Sequence, residues 1–331
     1  MHPESLIAFL EQTADLSLAA EWDLSGIQVA GTRTPIRRLA VALDPLETTI
    51  CSALDWEADF ILTHHPLTLT PKLPNKTDSY RQVLKTLLAG DVWLYAAHTS
   101  LDVQTSGPVS WLARSLGLEG IKPILNTAPA WYWADLSLLK GSLDNLEPHC
   151  QDRGLRLVRD IQDREGLLCA QDRLPWAKSL LKTTFPGQAI PIHECTWDDG
   201  PCGFGVLGTL PEPKPWAELR QTLASLLPSS GWVSIGKPPD HVSCIGYCPG
   251  SGMDLAPSAF ARGAQLFLSG DAKYHQAQDI ESLGFTLDVG HFALEEAMMA
   301  SWADVLTPEL NRQGIQVRHI AGHNPQHLEK T

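Results

Sequence analysis

The chain has 331 residues, 44% hydrophobic and 19% charged, enough for a large core and for roughly two domains. Its net charge of −13, with no run of Lys or Arg, argues against nucleic acid, whose phosphates demand many basic contacts. The opening MHPESLIAFLEQ carries acids and no basic flank, unlike a secretory signal, and no uncharged apolar run nears the roughly 20 residues of a membrane span, so a cytoplasmic protein is expected.

In chain order, IRRLAVALD (36–44) is a β-rich run closing on Asp44 and Pro45, and LETTICSALDWEA (46–58) has helical spacing. FILTHHP (60–66) is a short apolar run ended by proline. SYRQVLKTLLAG (79–90) predicts a helix with a terminal glycine, DVWLYAAHTSLD (91–102) a strand, and VSWLARSLGL (109–118) a helix. Strands that are apolar throughout and separated by helices imply a largely parallel, covered sheet.

From 128 to 198 the pattern changes. Strand WYWADLSLL, helix SLDNLEPHCQDRG, strands LRLVRDI and GLLCAQD, helix LPWAKSLLKTTF and strand AIPIHECTW give a β-α-β-β-α-β order. That order predicts a small ferredoxin-like insert, in which His149, His193 and Cys195 are packing or surface residues. GFGVLGTLPEPKPWAELRQTLASLL (203–227) resumes the main domain.

The last third repeats the plan of the first. HVSCIGYCPGSG (241–252) is a strand and a Gly-rich turn, LAPSAFARGA (255–264) a helix, QLFLSGD (265–271) a strand, and KYHQAQDIESLG (273–284) a helix. FTLDVGHF (285–292) is a strand, ALEEAMMASWADVL (293–306) a helix, and IQVRHIAG (315–322) a final strand. ADFILTHH (58–65) overlays AQLFLSGD (264–271), and HTSLD (98–102) overlays HFALE (291–295), which points to an internal duplication. The expected fold is therefore α/β, with two similar βα-repeat halves, 1–127 and 199–331, around a small α+β insert at 128–198.

Seven scattered cysteines (Cys51, Cys150, Cys169, Cys195, Cys202, Cys244 and Cys248) include no C-x-x-C pair. An odd count in a large chain predicts reduced thiols, and Cys244 and Cys248 lack a second pair at zinc-finger spacing.

The adjacent His64 and His65 raise a question, because neighbours in a strand point to opposite faces. Pro66 ends the strand there, so both rings can turn into one crevice at its carboxyl end, where open α/β sheets keep ligands. HTSLD and GHFALEE also end strands, which adds His98, Asp102, His291 and Glu295 at equivalent places. His291 and Glu295, spaced i,i+4, share one helix face. Imidazole and carboxylate suit Zn, Fe, Mn, Co or Ni. Five such ligands, His64, His65, Asp102, His291 and Glu295, serve two divalent ions about 3.5–4 Å apart better than one, with Glu295 as the bridge. His98 is either a ligand or an outer group holding Asp102.

Taken together, EWDLSGIQVAG (21–31), ADFILTHHPL (58–67), YAAHTSLD (95–102), LFLSGDAKYHQAQDI (266–280) and LDVGHFALEE (287–296) resemble the Nif-three-like proteins, often named GTP cyclohydrolase I type 2. The resemblance implies metal ligands at His64, His65, Asp102, His291 and Glu295, and a ring-shaped homo-oligomer, commonly a hexamer, with its metal sites facing an internal cavity. It also implies opening of the GTP purine ring with release of formate. Leu24 departs from the family's Asn after the Trp-Asp pair, which clouds any substrate inference from that strip.

Trp22 and Asp23 either line the pocket or cap the following turn. Asp44 reads as a helix N-cap. In SGDAKYH, Asp271 is a helix cap or a crevice residue, while Lys273 and His275 join His98 as candidates for binding an anionic substrate or moving protons. PGSG (249–252) is a tight turn or a phosphate cradle. A metal-dependent hydrolase of nucleotides or phosphoesters is the leading expectation, and a non-catalytic metal-binding assembly or regulatory protein the alternative.

Overall fold

The four-residue runs FILT and LFLS are buried at every position and form interior strands of two different sheets. A computed structural model describes residues 1–127, 131–137, 146, 150, 155–159, 165–195, 202–227 and 231–326. The chain divides into two units, Met1–Asn126 with Pro201–Thr331, and Thr127–Gly200.

In the first unit, β1 (Gly26–Val29), β2 (Arg38–Ala42), β3 (Phe60–Thr63), β4 (Trp93–Ala96) and the C-terminal β15 (Gln316–His319) form a five-stranded sheet ordered β1-β4-β3-β2-β15. All neighbours are parallel except β1, which runs antiparallel to β4. The second sheet contains β5 (Glu119–Asn126), β10 (Gly203–Pro215), β11 (Val233–Ile235), β12 (His241–Tyr247), β13 (Leu266–Ser269) and β14 (Phe285–Asp288), ordered β11-β14-β13-β12-β10-β5. Its middle repeats the first sheet: three parallel strands, with an antiparallel strand beside the last of them. Parallel strands buried on both faces need apolar residues throughout, which is why the runs were recognisable without alternation.

Two features differ from expectation. The last strand joins the N-terminal sheet, where it pairs with β2 and covers an edge that would otherwise expose unpaired backbone groups. The helix expected over 293–306 runs from His291 to Arg312 and passes through Pro308. Its buried residues, among them Leu294, Met298, Trp302, Leu306 and Leu310, share one core with Leu39, Phe60 and Leu62 of the first sheet and Leu266, Leu268 and Leu287 of the second. Each such side chain contributes roughly 1.5–3 kcal/mol by leaving water, so the helix that carries His291 and Glu295 is firmly anchored.

The second unit holds β6 (Trp131–Asp135), β7 (Leu155–Arg159), β8 (Glu165–Ala170) and β9 (Ile192–Cys195) in one antiparallel sheet ordered β7-β8-β6-β9, with a helix at Leu174–Thr184 between β8 and β9. This is the strand order of a ferredoxin-like unit. Most of the helix expected between β6 and β7 lies outside the described residues, as does His149.

Candidate metal centre

Three strand ends of the first unit bring the predicted residues together. β3 stops at Thr63, and the next two amides stay tied to the neighbouring strand's exit, His64 N to Ala42 O at 3.2 Å and His65 N to Leu43 O at 3.0 Å. After β4, His98 precedes a short helix, Thr99–Asp102. After β14, Gly290 turns the chain at φ +88° into the helix that begins at His291. All three exits are at carboxyl ends of parallel strands.

Each imidazole has its Nδ1 engaged. His64 Nδ1 lies 3.0 Å from Ala97 O, His65 Nδ1 2.7 Å from Asp44 Oδ1, His98 Nδ1 2.9 Å from Asp23 Oδ1, and His291 Nδ1 2.7 Å from Asp271 Oδ2. A carbonyl or carboxylate beside Nδ1 makes that nitrogen the proton-bearing one of a neutral ring, so Nε2 is the ligand atom once any second proton has left. Three of these Nε2 atoms converge on one carboxylate. His64 Nε2 is 3.6 Å from Glu295 Oε1, while His65 and His291 Nε2 are 3.3 and 2.9 Å from Glu295 Oε2. Asp102 Oδ1 is 3.8 Å from His64 Nε2.

Two clusters able to chelate a divalent ion result. Ligand atoms of His64, His65 and His98 lie within 4.8 Å of one another, and so do those of His65, His291 and Glu295. Ligands around a tetrahedral ion with bonds of about 2.0–2.1 Å stand about 3.4 Å apart, close to the separations about Glu295.

A Duf34/NIF3 (NGG1p interacting factor 3) family model matches residues 1–325. The chain belongs to this family. A protein of Bacillus subtilis named "GTP cyclohydrolase 1 type 2 homolog" is 25% identical over 328 residues, covering 88% of each chain. A protein of the same name from Halalkalibacterium halodurans is 24% identical, covering 87% of this chain and 88% of its own. The fold matches that of a Staphylococcus aureus hypothetical protein with a TM-score of 0.76 at 21% identity, over 98% of this chain and 97% of that one. A Bacillus cereus protein related to NIF3 gives a TM-score of 0.72 at 21% identity, over 98% of both chains. No helix among the described residues of this NIF3-family chain is long and apolar enough to cross a membrane.

Burial tests whether cations fit the centre. His64 is fully buried and Glu295 nearly so. His64 Nε2, Asp102 Oδ1 and Glu295 Oε2 are buried without a hydrogen-bond partner; His291 approaches Glu295 Oε2 closely but not in hydrogen-bond geometry. Each such orphan costs about 1–3 kcal/mol, which bound cations would offset. The protons respond to the same crowding. Burial works against a charge on His65, but Asp44 and Glu295 outweigh it and push its pKa up to about 10. Contact with Glu295 pushes His291 up to about 9 against its burial. Burial raises Asp102, whereas Glu295 is held well below the usual carboxylate range because His64, His291 and His65 overcome its desolvation.

Of the carboxylates that orient the rings, Asp44 was misread in the sequence, and Asp271 takes the crevice role among its two expected ones. Asp44 is no N-cap: the following helix is preceded by Leu46 and has no side-chain cap, and Asp44 holds His65. Nor does Asp271 cap the next helix, whose N-cap is Lys273; at φ +59° it binds His291 and Ser251. The duplication carried a signal for it, since Asp271 aligns with His65. His98 is held by Asp23, not paired with Asp102. Lys273 and His275 are exposed; Lys273 N donates to Gln276 Oε1, and His275 Nδ1 lies 3.3 Å from Gln278 Oε1. In PGSG, the Gly252 amide is spent on Ser269 Oγ at 2.9 Å, as a tight turn requires.

Proposed function

We propose that the protein is a dinuclear, divalent-metal-dependent hydrolase of nucleotides or related phosphoesters, with opening of the GTP purine ring and release of formate as the leading reaction. The observation that carries this reading is the convergence of three Nε2 atoms on Glu295, with orphaned acceptors on a buried floor and a rim, at His65 and His291, that is 24% and 34% exposed. The name carried by the Bacillus subtilis and Halalkalibacterium halodurans relatives supports the choice of GTP. By resemblance, the protein works as a ring-shaped homo-oligomer, commonly a hexamer.

His64, His65, Asp102, His291 and Glu295 would hold the two ions; Zn, Fe, Mn, Co and Ni all suit these donors. When bound, such a pair lowers the pKa of a water and polarises a substrate oxygen. The remaining work belongs to side chains. Ala97 O, Asp44 and Asp271 fix the rings of His64, His65 and His291. His98, pinned through Nδ1 by Asp23, keeps its other nitrogen for moving a proton or for joining His64 and His65 on an ion. Substrate enters from the His65–His291 side, since the floor beneath is closed.

The test is a panel of GTP, other nucleotides and simple phosphoesters, offered to the protein with each metal restored and scored for formate and for phosphate. Formate from GTP is expected. Phosphate release alone would shift the reaction to phosphoester hydrolysis, and no turnover of any member would make the protein a metal-binding assembly or regulatory module.

A further inference from the structure

Trp22 is 63% exposed, although an indole is among the most favourable side chains to bury. It is not loose. Asp23 N donates to Ala20 O at 2.9 Å, Ala20 N donates to Thr99 Oγ1 at 2.9 Å, and the Asp23 carboxylate ties this turn to His98, Thr99 and Ser25. Gln28 closes the other side, giving its Nε2 to Leu24 O at 2.6 Å and accepting from Leu67 N at 3.0 Å. The turn is therefore stapled both to the helix that carries Asp102 and to the loop that follows His65. It holds the indole edge-on to His98, with ring centroids 5.9 Å apart. His98 in turn lies 5.2 Å from His64 and 5.6 Å from His65.

We propose that Trp22 is the stacking platform that selects substrates bearing a planar heteroaromatic ring and seats that ring beside the metal centre. The inference deepens the hydrolase reading and rests on it. A rigid exposed aromatic beside a cluster of imidazoles and carboxylates offers apolar contact area with almost no ordering cost on binding. Stacking of a base on an aromatic side chain is sequence-tolerant and typically changes affinity about tenfold or more. A ring lying on Trp22 is one imidazole away from His64 and His65, so its edge faces the groups proposed to act on it. The same contact explains how a purine could be preferred without a phosphate loop, since the Gly-rich turn at 249–252 has spent an amide internally.

The test compares wild type, Trp22→Ala and Trp22→Phe, each loaded with Mn²⁺ and with metal content verified as equal. Calorimetry measures binding of GTP, of guanosine and of inorganic triphosphate, which lacks the ring. Trp22→Ala is expected to weaken GTP and guanosine about tenfold and leave triphosphate unchanged, while Trp22→Phe retains most of the affinity. If GTP is hydrolysed, KM rises more than kcat falls. Equal affinity of wild type and Trp22→Ala for GTP and guanosine overturns the inference, as does failure of wild type to bind either. A Trp22→Ala protein that binds both normally but changes oligomeric mass reassigns the indole to a subunit contact and also overturns it. The hydrolase reading is judged separately, by formate or phosphate release.

Discussion

Glu295 Oε1 fills space that residue 250 leaves open only as glycine: a Cβ on Gly250 would stand 2.4 Å from that oxygen, at φ +67°. The turn after β12 and the first turns of the last helix are thereby locked together around the carboxylate. Gly250→Ala should displace Glu295 and reduce bound metal, besides costing about 1–2 kcal/mol in backbone strain. Gly263→Ala is the control, because it carries the same kind of strain at φ +94° with nothing within 4 Å of the added methyl. Metal content of the two purified variants separates clash from strain; equal loss in both would remove the special role of Gly250.

The four Nδ1 contacts predict that carboxylates outside the proposed ligand set control affinity. Asp44→Ala and Asp271→Ala free the rings of His65 and His291, and each should weaken metal binding about 10–100-fold while the fold persists. Competition with a chromophoric chelator measures the affinity, and circular dichroism the fold.

Metal loading should oppose protonation. In the metal-free centre His65 titrates at about 10 and His291 at about 9, so near neutrality each carries a proton that a cation must expel. Apparent affinity should rise with pH, up to about tenfold per unit for each proton displaced. The metal-free protein should show the opposite trend in stability. A raised imidazole pKa contributes stability that is complete below the ordinary value of 6.5 and is lost as pH rises through about 9 to 10. Chelator titrations and melting curves across this range measure the two trends; parallel trends would contradict the protonation pattern.

Asp23 accepts hydrogen bonds from Leu24 N, Ser25 Oγ, His98 Nδ1, Thr99 N and Thr99 Oγ1, with its side chain fully buried. Burial raises its pKa, but His98, Ser25 and Thr99 prevail and hold it well below its ordinary value of 3.8. A depressed carboxyl contributes stability that is present above 3.8 and lost as pH falls below it. Asp23→Ala should cost about 3 kcal/mol at neutral pH, and Asp23→Asn should flatten the acid limb of the stability profile. Urea denaturation at several pH values reads both.

The parts of the fold legible in the sequence were those with a local signal. FILT and LFLS are apolar at every position, Pro66 marks the strand exit, and the His-x-x-x-acid spacing recurs at 98–102 and 291–295. The short edge strands β1 and β11 lack such a signal because each is half exposed and only a few residues long. Asp44 was misread, and Asp271 left between a cap and a crevice role, for a related reason. An aspartate before a helix is commonly a cap, and partners 21 and 20 residues away leave no periodic trace. The placement of β15 beside β2 likewise depends on which sheet edge is open, which chain order does not encode.

Metal analysis of the purified protein, wild type beside Glu295→Ala, tests the central claim most directly. A centre built around a bridging Glu295 predicts close to two divalent ions per chain in wild type, and loss of most of that metal in Glu295→Ala with the fold retained. A wild-type protein that holds no ion after gentle purification and fails to take up any on addition, or a Glu295→Ala variant that keeps both ions, would contradict it.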